Sequence, residues 1–300
     1  MEYTVLGRTG IRVSRLGLGG APLGGDFGAT SDKEAVDTVH AALDAGVTFF
    51  DTAPLYGRGE SERRLGLALQ GKRPQAVIAT KAVMRGEPYT YDNTIKSVEM
   101  SLRRLQTDWI DLIQLHETEA TTFEEAREGT LAAFERLKRD GKVRAIGANG
   151  RNTDILAQYL RTGLLDTAQT YCRYTLIDHS AREHVFPLAR EYGAAVINGS
   201  PLNMGVLADT PAPFLQNNPE LLEEAGRRMR MLDFLRKPGP HGLVEAAMRF
   251  SLTCPDIAVT LTGAASPDIV AQNAAYCDGQ GLEEPELLRV LELFAGKPLY

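Results

Sequence analysis

Short apolar runs alternate with amphipathic stretches along most of the chain. The runs occupy residues 16–20, 47–52, 76–81, 109–116, 143–149, 167–172, 194–200 and 257–263. Most are apolar at successive positions rather than at every second one, as in parallel strands buried on both faces. Between them lie helix signals. Ser31 and Glu34 fit a capping box ahead of AVDTVHAALDAG, with Gly46 placed to end that helix. Thr122 and Glu125 do the same for the segment that Gly141 closes. Strand and helix recurring at intervals of roughly 25 to 35 residues predict an α/β fold, a (β/α)8 TIM barrel.

Ahead of the first run, YTVLG and RVSRLG alternate around Arg8, Thr9 and Gly10, which predicts an N-terminal β-hairpin. The gap between the seventh and eighth runs is about 60 residues and rich in Pro, Gly and Asn. Part of it is expected to form a long loop over the barrel mouth. No linker interrupts the pattern, so residues 1–300 are expected to form a single barrel domain. A doubly wound sheet would want a G-x-G-x-x-G turn leading at once into a helix. The glycines of LGLGGAPLGG lack that arrangement.

Composition narrows the function. A formal net charge of -6 disfavours nucleic acid or anionic membrane as partner, because phosphate binding needs clustered cations. The densest basic cluster, Arg227, Arg228 and Arg230, falls in a segment expected to be surface loop or helix. The three cysteines, Cys172, Cys254 and Cys277, have no C-x-x-C spacing, so neither a disulfide framework nor a metal site is expected. With no apolar leader and no long apolar window, a cytoplasmic enzyme, monomeric or a small homo-oligomer, is the expectation.

Four residues carry candidate chemistry: Asp51 and Tyr56 in FFDTAPLYG, Lys81 in VIATKA and His116 in DLIQLHE. All fall near the C-terminal ends of expected strands, which converge on one face of a barrel. Singly, each has a structural reading: a turn cap, a loop aromatic, a paired lysine, a rim histidine. Together they are what proton transfer to or from a carbonyl or hydroxyl oxygen needs. Lys81 is expected to lower the Tyr56 phenol toward neutrality, with Asp51 holding Lys81. Tyr56 would then act as general acid or base, and His116 would orient the substrate oxygen. Hydride transfer with a bound cofactor is the matching reaction.

GRTGIRVSRLGLGGAPLG, FFDTAPLYGRGESERRLGLAL, DLIQLHE, GKVRAIGANG and NGSPLNMGVL resemble the corresponding blocks of the aldo-keto reductases, from about residue 4 to residue 275. The resemblance implies a barrel plugged by a hairpin, Tyr56 as catalytic acid/base, and Asp51, Lys81 and His116 completing a tetrad. It also implies a nicotinamide dinucleotide lying against Gly20, Ala21, Asp51, Asn149, Gln169, Ser200, Leu202, Met204, Gly205, Gly263, Ser266, Gln272 and Asn273.

Three departures refine this. Where NADPH-dependent members carry cations, this chain has Gly263 and Ile269, and LTGAASPDIVAQN contains no Lys or Arg. NAD is therefore expected in preference to NADP. Ala148 replaces the usual serine before Asn149. Gly199 stands where many members stack a tyrosine on the nicotinamide. These features are similar to the branch of L-galactose and L-fucose (D-threo-aldose) dehydrogenases, implying oxidation of the C1 hydroxyl of a free sugar, or another cyclic hemiacetal, to a lactone. The alternatives are an NADPH-dependent aldehyde or ketone reductase, a pyridoxal 4-dehydrogenase, and a non-catalytic member of the fold.

Overall fold

The computed structural model describes residues 1–299. Strands β1 (Tyr3–Val5) and β2 (Arg12–Ser14) pair antiparallel as a hairpin. Eight further strands run parallel and close on themselves: β3 (Leu16–Gly19), β4 (Phe49–Asp51), β5 (Val77–Ala82), β6 (Ile110–His116), β7 (Val143–Gly150), β8 (Thr167–Tyr171), β9 (Ala195–Gly199) and β10 (Ile257–Gly263). Their order is β10-β3-β4-β5-β6-β7-β8-β9. Each of the eight expected barrel strands forms, with ends shifted by at most two residues.

Alternation across each strand explains why the runs are apolar throughout. Phe50, Ile78, Ile113, Ile146 and Val196 point outward into the core shared with the helices. Phe49, Ala79, Leu112, Ala145, Ile197, Val259 and Leu261 fill the barrel interior, against Leu6, Ile11 and Val13 of the hairpin. The hairpin is therefore a plug. Gly7, at φ 53°, lies so close to the sheet that a Cβ there would sit 2.7 Å from the Ala195 nitrogen. Arg8 then donates to Asp166 Oδ1 at 3.0 Å and to the Gly163 carbonyl at 2.8 Å. With the base sealed, ligand access is left to the opposite, C-terminal end.

The first capping box forms as expected: Glu34 N–H donates to Ser31 Oγ and Ser31 N–H donates to the Glu34 carboxylate, ahead of the helix Asp32–Asp44. The segment after Thr122 is less regular, with a π-helical stretch over Ala126–Leu131. Gly129 lies against the Tyr89 carbonyl, where a Cβ would approach to 2.1 Å, and Thr130 Oγ1 donates to that same oxygen at 3.1 Å. The wide turn brings both groups onto one carbonyl.

The long connection after β9 is only partly loop. It contains the helices Pro219–Met231 and Val244–Leu252. Arg228 turns inward, donating to the carbonyls of Ile177 and Lys297 at 2.7 Å each. One arginine of the basic cluster is thus a buried anchor for the C-terminal tail, while Arg227 pairs with Glu224 at the surface.

His179 sits nearby among Tyr174, Phe250 and Phe294, with ring centroids 5.3 to 6.1 Å away. Burial holds its imidazole neutral, bringing the pKa from 6.5 down to about 4 against the opposing charge of Asp178. Between those values the unfolded chain binds a proton that the native protein does not, so stability falls as pH drops through that window. At about 1.4 kcal/mol per pH unit, the loss approaches about 3 kcal/mol near pH 4. Urea unfolding from pH 7.5 downward checks this. His179→Leu should flatten the slope between pH 6.5 and 4; an unchanged slope would refute the assignment.

Candidate active site

Two residues beyond the apolar interior layer, the inward positions turn polar. Phe49 is followed by Asp51, Ala79 by Lys81, Leu112 by Gln114 and then His116. Sheet register sets the rest of the ring: Lys81 pairs with Gln114, His116 with Asn149, and Asn149 with Gln169. A polar floor thus lies above a sealed apolar base.

Lys81 is fully buried. Its Nζ donates to Asp51 Oδ2 at 2.7 Å and to the Thr52 carbonyl at 2.8 Å. Asp51 Oδ1 accepts from Gln114 Nε2 at 3.1 Å. Tyr56 begins a tight turn just beyond β4 rather than ending a strand. The turn is held by Gly57, at φ 57°, whose Cβ would collide with the Gly24 carbonyl at 2.2 Å. Gly57 N–H donates to the Asp26 carboxylate. This brings the Tyr56 ring to 4.7 Å from Lys81 Nζ, and edge-on to His116 at 6.2 Å between centroids. The structure therefore gathers Asp51, Tyr56, Lys81 and His116 at one site.

Burial dominates the electrostatics. It works against the Lys81 ammonium, but Asp51 and then Tyr56 outweigh it and the lysine ends above its ordinary range. Burial, reinforced by the charges of Lys81 and Arg85, holds His116 well below the usual imidazole range, so it is neutral. For Tyr56 the outcome reverses the expectation from sequence: burial raises the phenol, and the opposing pull of Lys81 is insufficient. Lysine stabilises phenolate, but a buried phenolate first loses its water.

Other supports have no simple sequence signal. Tyr89 O–H donates to the His116 carbonyl, Tyr89 N–H donates to Glu125 Oε1 at 3.2 Å, and the Tyr89 carbonyl accepts from Thr130. Glu62, fully buried, accepts from Thr80 Oγ1 and Arg104 Nε at 2.6 Å each. Gln114 was detectable in principle, lying two residues before His116 on the same strand face.

The mouth has a polar side and a side where the strands end in glycine. The neighbouring strands β9, β10 and β3 end at Gly199, Gly263 and Gly19. On β6, β7 and β8, the buried atoms His116 Nδ1, Asn149 Oδ1 and Gln169 Oε1 have no hydrogen-bond partner among the described residues. Orphaned buried polar atoms are costly, and a bound polar ligand relieves them. A carboxamide-bearing ring fits this donor and acceptor set. Gly20, Ala21, Ser200, Leu202, Met204, Gly205, Gly263 and Ser266 all follow or end β3, β9 or β10. Ser200 and Met204 adopt positive φ of 55° and 54°. Asn273 is buried, donating to Thr262 Oγ1 at 3.1 Å, whereas Gln272 reaches Tyr276 O–H.

The profile of the Aldo/keto reductase family matches residues 15–290. The chain belongs to this family. It is 33% identical over 284 residues to the L-galactose dehydrogenase of Arabidopsis thaliana, covering 92% of this chain and 88% of that protein. Against a D-threo-aldose 1-dehydrogenase from a Pseudomonas species, identity is 31% over 297 residues, covering 89% and 90%. Among solved structures, an aldo-keto reductase from Bacillus halodurans in its holo form superposes with a TM-score of 0.80 at 28% identity, covering 98% of this chain and 96% of that one. This aldo-keto reductase is accordingly an NAD(P)-dependent oxidoreductase acting on small molecules. Among its described residues, no helix is long and apolar enough to cross a membrane.

Proposed function

We propose that this enzyme oxidises the C1 hydroxyl of a free sugar, or of another cyclic hemiacetal, to a lactone, with NAD as oxidant. The observation that carries the reading is the polar floor: Lys81 locked to Asp51, with Tyr56 and neutral His116 above them. The two sugar dehydrogenases among its relatives supply the substrate class. When bound, the oxidised nicotinamide supplies the hydride acceptor and a positive charge beside the phenol. His116, as a neutral imidazole, orients the substrate oxygen. Tyr56 takes the hydroxyl proton as it leaves, and Lys81 steadies the phenolate character this requires. Asn149 and Gln169 would hold the carboxamide.

The preference for NAD rests on charge. Residues 261–273 carry no cation, and Ile269 is exposed on the helix Pro267–Ala275. A 2′-phosphate there would find no charge partner in this segment. A second reading, reduction of an aldehyde or ketone, is favoured by the raised phenol, since a protonated tyrosine is already a general acid.

Calorimetric titration with NAD, NADH, NADP and NADPH, followed by an absorbance assay at the reduced-nicotinamide band with aldoses and pyridoxal, tests both. NAD(H) is expected to bind at least about tenfold more tightly than NADP(H), matching the loss of about one charged hydrogen bond. Aldoses are expected to reduce NAD. Tighter NADPH binding, with no hemiacetal oxidised, would make the reductase reading the correct one.

A further inference from the structure

The rim beside His116 carries a charged pair that the proposed proton chemistry leaves unused. Glu117 follows His116 directly at the end of β6. Arg85 comes from the loop after β5, where Val83 turns the chain at φ 68°. Arg85 Nη2 donates to Glu117 Oε2 at 2.6 Å. The other carboxylate oxygen accepts from Tyr171 O–H at 3.2 Å. Tyr171 lies two residues beyond Gln169 on the same inward face of β8, one step nearer the mouth.

A surface ion pair ordinarily contributes little. This one differs in where it sits. Burial is the main cause of the raised Tyr56 phenol and the depressed His116 imidazole, and the charges of Glu117 and Arg85 act in the same directions on those two rings. The Glu117 side chain is 17% exposed and that of Arg85 63% exposed. The carboxylate keeps acceptor positions beyond the two in use, and Arg85 spends one N–H on the contact. The pair therefore offers an acceptor and a donor side by side, with no net charge. A neutral diol matches that edge: one hydroxyl donates to Glu117 and its neighbour accepts from Arg85. A bare aldehyde satisfies neither, and an anion gains nothing from a neutralised arginine.

We propose that Glu117, held by Arg85 and Tyr171, binds a hydroxyl adjacent to the reacting carbon, so that the substrate is a polyhydroxylated ring and not a simple lactol or aldehyde. This rests on the reading of the site as a hemiacetal dehydrogenase.

The test compares an aldose with hydroxytetrahydrofuran, a lactol bearing no other hydroxyl, in the wild type, Glu117→Ala, Glu117→Gln and Arg85→Met. Thermal melts check folding, and the Gln and Met variants carry the test if Glu117→Ala does not fold. Glu117→Ala should lose about 10- to 100-fold in kcat/KM for the aldose but under about threefold for the lactol. Glu117→Gln should recover part of the loss, since its amide oxygen still accepts. Titration of the aldose into enzyme saturated with NADH, where no hydride moves, should show the same weakening in Kd. Equal losses on both substrates, or none on the aldose, would overturn the proposal while leaving the dehydrogenase reading intact. Glu117-dependent aldose binding without oxidation of either substrate would uphold the site and overturn that reading.

Discussion

Tyr56→Phe should fold normally and lose about a hundred- to ten-thousand-fold in kcat, in either direction of the reaction. The range is that of a positioned general acid or base. Folding is expected to survive because phenylalanine keeps the ring that lies 4.7 Å from Lys81 Nζ and edge-on to His116. The turn around it is fixed by Gly57 and Asp26, not by the phenol. Steady-state kinetics on saturated enzyme, with circular dichroism as a check on the fold, measure this. Retention of most turnover would remove Tyr56 from the mechanism.

The pH dependence sharpens the same prediction. Oxidation needs Tyr56 as phenolate, and the free protein holds that phenol above its ordinary value of 10.0. The wild-type oxidation rate should therefore rise steadily from neutral pH toward pH 10. Reduction needs the protonated form and should lack that rise. Tyr56→Phe should lose the pH dependence along with the rate. A rate of oxidation that is flat from pH 7 to 10 would mean that the bound cofactor's charge has already lowered the phenol, or that another group takes the proton.

The raised Tyr56 phenol is the opposite of what the sequence suggests, with Lys81 expected beside it. The strands were legible because each is buried on both faces and so reads as an unbroken apolar run. The hairpin plug was legible because alternation and a glycine turn are local. Asp51, Tyr56, Lys81 and His116 could be expected together because a barrel brings strand ends to one face. The balance at Tyr56 was not legible, since desolvation depends on every atom that displaces water around the phenol. Tyr89 was hidden for a related reason. Its role at the His116 carbonyl depends on Gly129 and Thr130 meeting one oxygen across a π-helical turn, a contact between segments about 40 residues apart. Arg228 reads as one of three surface cations until the fold shows it reaching two carbonyls of different segments.

Lys81→Met should cost about 3 to 5 kcal/mol of stability as well as activity, because it strands a charge rather than merely deleting a contact. Asp51 is 3% exposed, and its Oδ2 meets Lys81 Nζ at 2.7 Å. Without the ammonium the carboxylate is left with the neutral Gln114 amide at 3.1 Å as its side-chain partner among the described residues, and an uncompensated buried charge is expensive. The double variant Asp51→Asn/Lys81→Met leaves no charge to strand and should recover much of the stability of the single change, while activity stays lost. Urea unfolding of both single variants and the double gives the coupling directly. Additive losses would mean that the pair is not an isolated buried unit. Strong coupling, with kcat abolished in every variant, would separate the two functions of Lys81: it neutralises Asp51 in the fold, and it polarises Tyr56 in the reaction.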